Sequence, residues 1–79
     1  MEFPLFVVYL NPRDFPRSAA GDTFVVRRQV ARSDGEISAD LQPLAVTGDL
    51  AAARRALPEG LVNIGRMPGD DPVIFEVWV

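Results

Sequence analysis

Three stretches decide what this chain can fold into. Residues 5–10 (LFVVYL), 23–31 (TFVVRRQVA) and 73–79 (VIFEVWV) are runs of β-branched and aromatic side chains. Such side chains suit a pleated, half-buried surface, and the first run is bounded by Pro4 and by Asn11-Pro12. Each is predicted as a strand, and 73–79 carries the densest signal.

The rest of the chain connects them. Residues 11–22 (NPRDFPRSAAGD) collect Pro, Gly, Asp, Asn and Ser, which is loop chemistry. Twelve residues is long for a connection in so short a chain, and loops of that length tend to be functional or mobile. Residues 32–42 are polar, with Asp34-Gly35 marking a tight turn. Residues 44–46 form a short strand that Pro43 confines to a sheet edge. Asp49 is placed to cap a helix over 50–57 (LAAARRAL), where Leu50, Ala53 and Leu57 share one face. Arg54 and Arg55 lie where the helix dipole favours cations, and Pro58 and Gly60 stop it. Residues 61–65 (LVNIG) read as a strand, and 66–72 (RMPGDDP) as a turn. The order is β-β-(β)-α-β-β in a single domain over 1–79. Few connections are long enough for crossovers. The fold class is therefore α+β, a mainly antiparallel sheet of four to five strands with one short helix on one face.

Side chains alternate along a strand, so each strand carries two sets. Phe6, Val8, Leu10, Phe24, Val26, Val30, Val73, Phe75, Val77 and Val79 are apolar and are assigned to the helix side. Leu5, Val7, Tyr9, Val25, Arg27, Gln29, Ile74, Glu76 and Trp78 are mixed and fall on the other side. One short helix covers one face only. The second face then exposes a large apolar patch rich in interface-type residues, which soluble monomers seldom leave unused. Val7, Tyr9, Arg27, Ile74, Glu76 and Trp78 form the expected interaction surface. Two alternatives temper this. The 11–22 loop, with Arg13, Asp14 and Phe15 as candidates, folds over the face with Phe15 as its plug. An Arg27–Glu76 cross-strand pair accounts for the charges.

Composition narrows the chemistry. The chain has 79 residues, no Cys, no His and no Lys, and all eight basic residues are Arg. Arg throughout fits codon bias in a GC-rich genome, or selection for flat bidentate contacts. Disulfides and the usual zinc ligands are excluded, as are His-, Cys- and Lys-based catalysis. Carboxylates remain, but Asp70 and Asp71 are adjacent in a turn, point apart, and read as turn chemistry. The six glycines show no phosphate-loop spacing. Neither a catalytic constellation nor a cofactor or metal is expected. The formal charge of −3 argues against bulk nucleic-acid binding. The opening residues lack a basic n-region, and no run approaches a membrane span, so a cytoplasmic location without membrane contact is expected.

The segments YLNPRDFP (9–16), FVVRR (24–28) and DPVIFEVW (71–78), with Leu50, Ala53, Arg54, Leu57, Pro58, Gly60 and Leu61, together resemble short bacterial or phage-associated proteins of unknown function. The resemblance covers most of the chain, implies no activity, and points to a bacterial or phage origin. The leading expectation is a non-enzymatic interaction domain that forms a homodimer, or takes another protein partner, through its second sheet face. The alternative is a single-strand nucleic-acid module using Arg27, Tyr9 and Trp78. A carboxylate-based enzyme stands third.

Overall fold

The computed structural model describes residues 2–39, 42–66, 69 and 71–79. The turn expected over 66–72, with its Asp70-Asp71 pair, lies partly outside the described residues.

Two nine-residue strands form the centre of the fold, β1 (Glu2–Leu10) and β2 (Phe24–Arg32). They pair antiparallel along their whole length, from Glu2↔Arg32 to Leu10↔Phe24. Three shorter strands, β3 (Ile37–Ala39), β4 (Ala45–Thr47) and β5 (Ile74–Trp78), complete an antiparallel sheet in the order β3-β2-β1-β5. β4 pairs with the other half of β2, against Phe24 to Val26, and so lies at the edge that Pro43 implied. Strand β3 was not anticipated. Ile-Ser-Ala is too short and polar to read as a strand, but the turn before it was legible. Gly35 takes φ +87, the left-handed region that glycine fills without strain, and closes the β2–β3 hairpin.

Helix α1 (Leu50–Arg55) runs six residues, with Ala56 and Leu57 finishing it in a tighter turn that bonds back to Ala53 and Arg54. Asp49 caps it, accepting a hydrogen bond from the Ala51 N–H at 3.1 Å. Leu50, Ala53 and Leu57 face the sheet, where they meet Val8 and Val26 together with Phe24, Ala45 and Trp78. Each fully buried valine contributes about 1.5–3 kcal/mol of transfer free energy.

Residues 61–65 form no named strand. They lie along β5 through one bridge, Asn63↔Trp78, and three backbone bonds: Val62 N to Val79 O, its reciprocal, and Ile64 N to Val77 O.

Strand β5 departs from simple alternation. Its register against β1 runs Phe6↔Trp78, Val7↔Val77, Val8↔Glu76 and then Tyr9↔Ile74, which leaves Phe75 as an extra residue. This β-bulge inverts the faces after it. Ile74 stays with Tyr9. Glu76 and Trp78 move to the helix side, and Val77 moves to the opposite side. Phe75 remains on the helix side, edge-on to Phe24 at 5.7 Å.

The N–H of Leu10 points to β5, where it meets Val73 O at 2.7 Å. N–H direction alternates along β1, so residue 4 would donate towards the same side. The β5 register stops at Phe6, and residue 4 is Pro, which has no N–H to leave unpaired.

Candidate interaction surface

The expected site residues separate into two groups. Val7, Tyr9, Arg27 and Ile74 do share the face opposite the helix. Glu76 and Trp78 do not. The bulge at Phe75 places them under α1, so the three-residue platform of Arg27, Tyr9 and Trp78 is split between two faces.

Glu76 is 5% exposed and carries the densest polar network among the described residues. Its carboxylate accepts from Arg54 Nε at 3.1 Å, from the second arm of the same guanidinium, from Asn63 Nδ2 at 2.9 Å and from Trp78 Nε1 at 3.3 Å. Helix, edge segment and sheet are thus joined through one side chain. The Arg54 hydrogen bonds hold its carboxyl below the usual glutamate value, against a burial effect of opposite sign. The expected Arg27–Glu76 pair is therefore replaced by two others.

Arg27 on the second face pairs with Asp14 from the long loop. Its guanidinium lies between two rings, 5.8 Å from the centroid of Tyr9 and 5.8 Å from that of Phe15. Arg27 holds the Asp14 carboxyl below its ordinary value. Burial raises the Tyr9 phenol, whose oxygen accepts from Gln29 Nε2. The loop has its own bracing. Asn11, at φ 50, accepts from Thr23 N at 2.7 Å and donates to Asp22 Oδ1 at 3.0 Å. Ser18 and Gly21 exchange backbone bonds at 3.0 Å. Phe15 thus lies against Arg27 on this face, where the loop was expected to place it as a plug.

The loop therefore lies over Arg27 on the second face. Val7 is 1% exposed and Val25 0%, although the helix lies on the other side. Towards the Glu2–Arg32 end, Phe3 and Ile37 stand exposed. Phe3, Ala31 and Ile37 form one row across β1, β2 and β3. Asn63 reaches Glu76 on the helix side, so its neighbours Val62 and Ile64 point to the second face, as does Val46 opposite Val25. Among the described residues seven large apolar side chains are exposed, and five of them (Phe3, Ile37, Val46, Val62 and Ile64) belong to this face. Alternation alone missed Val62 and Ile64, because their segment was taken as a strand of unknown neighbour, and Ile37, because β3 was not foreseen.

Among the described residues no group of His, Cys, Asp or Glu is arranged to hold a metal ion, and no helix is long and apolar enough to cross a membrane. No protein family, curated protein or solved structure matches the chain.

Proposed function

We propose that this chain is a protein-interaction domain that self-associates through the sheet face opposite α1. The observation that carries the reading is the concentration of five of the seven exposed large apolar residues on that one face. The need for burial lies within the chain itself. Its buried apolar residues among those described are six: Phe6, Val7, Val8, Val25, Val26 and Ala53. Small domains with so few supplement the core with disulfides, metals or oligomerisation. With no Cys and no His, oligomerisation is the route open to this sequence. A second copy is always at hand, and two-fold contact is the commonest form of it. The molecule measures 42 × 25 × 25 Å, so its long face offers about 1,000 Å², against the ~800 Å² per partner of a standard interface.

Sedimentation equilibrium tests the proposal on the wild type and on Ile37→Glu. A dimer at high micromolar concentration is expected, and Ile37→Glu should give a folded monomer with unchanged circular dichroism. A wild type that stays monomeric across that range would refute the proposal.

A further inference from the structure

If the domain self-associates as proposed above, the 11–22 loop and a second copy compete for the same face. We infer that this loop is an inhibitory cover, in which Phe15, latched by the Asp14–Arg27 pair, takes the place on the sheet that a second copy would otherwise contact. The inference rests on the self-association reading.

Burial differs from one end of the face to the other. In the β1–β2 register Val7 lies opposite Arg27, and Val25 lies opposite Tyr9. Both valines are buried, and the Arg27 side chain keeps only 15% of its exposure. At the Glu2–Arg32 end of the same face Phe3 and Ile37 are open to solvent. The loop belongs to the buried end, where Asp14 and the Phe15 ring both meet the Arg27 guanidinium. An aromatic ring seated there does within one chain what an apolar side chain of a partner would do between two.

The loop is tied to itself far more than to the sheet. Asn11 bonds Thr23 and Asp22, and Thr23 Oγ1 donates to Pro16 O at 3.0 Å. The Phe15 N–H donates to Pro12 O, Ser18 and Gly21 exchange backbone bonds, and Arg17 pairs with Asp22 at 3.5 Å. All of these lie within residues 11–23. Among the described residues the Asp14–Arg27 pair is the one hydrogen bond or ion pair that joins the loop to a strand residue of this face. The Asp14 side chain is 55% exposed, and exposed ion pairs hold weakly. A segment braced within itself and fixed at one weak point can lift whole. Such a cover leaves only a fraction of molecules ready for contact, and the apparent dissociation constant rises by the reciprocal of that fraction.

Two variants test this. Asp14→Asn keeps the shape of the side chain and removes the charge of the latch, and Phe15→Ala removes the cover itself. Each should tighten dimerisation roughly tenfold in sedimentation equilibrium, as a closed form favoured about ten to one would require. In Asp14→Asn the Phe15 amide should also exchange faster than in the wild type. Circular dichroism checks that both variants are folded. Folded variants that dimerise as the wild type does, or more weakly, would overturn the cover and leave self-association standing. A monomeric wild type beside a dimeric Asp14→Asn would support the cover and refute only the wild-type dimer. Wild type and variants all monomeric would overturn both.

Discussion

At the scale of single residues, Glu76 and Arg27 solve the same problem on opposite faces. Each is a charge drawn out of water, and each is matched by an opposite charge with aromatic company. Glu76 is the more deeply committed, since Arg54, Asn63 and Trp78 all donate to it. Removing it orphans donors on three elements, so Glu76→Ala should lower stability by about 2 kcal/mol in urea unfolding at neutral pH. Its lowered pKa sets the sign of an acid response. The carboxylate stabilises the fold fully above its ordinary value of 4.5, and that contribution is lost as pH falls through the lower folded value. The gap in unfolding free energy between wild type and Glu76→Gln should therefore be constant near neutrality and shrink below about 4.5. A gap that widens in acid would contradict this origin. For Arg27, substitution by Ala removes what holds Asp14 and Phe15 down. The amide of Phe15, bonded to Pro12 O at 3.0 Å, should then exchange faster with solvent.

At the scale of elements, one extra residue in β5 decides which side chains belong to which surface. Alternation placed Trp78 beside Tyr9, and it would have been right without the bulge at Phe75. Nothing in VIFEVWV marks the bulge, because Phe75 is as good a strand residue as its neighbours. The consequence is testable. Trp78→Glu inserts a charge among Val8, Val26, Ala53 and Leu57 and should lower the melting temperature by many degrees. Dissociation of an otherwise stable fold would place Trp78 on the other face. What was legible rested on local chemistry. Asp49 caps α1, Gly35 makes the turn, and the two long strands formed where their β-branched residues lay. The cap is worth ~1 kcal/mol, which Asp49→Ala should remove. What was not legible depended on partners distant in sequence. Strand β3 exists because β2 offers it a ladder.

At the scale of the whole molecule, the sheet is long and its helix short. α1 closes over Val8 and Val26, and among the described residues Phe3 and Ile37 stay exposed at the far end of the second face. That imbalance is what a second copy would correct. It also creates a hazard, since the stretch of β1 beyond β5 is an open edge in a chain rich in β-formers. Pro4 occupies that edge with nothing to donate. Growth of a continuous ribbon from copy to copy needs an unbroken row of donors, and here the row is interrupted. The proline thus denies that edge one of the donors a growing ribbon would use. Pro4→Thr, which restores the donor on a strand-favouring residue, should give thioflavin-positive fibrils under conditions where the wild type gives none.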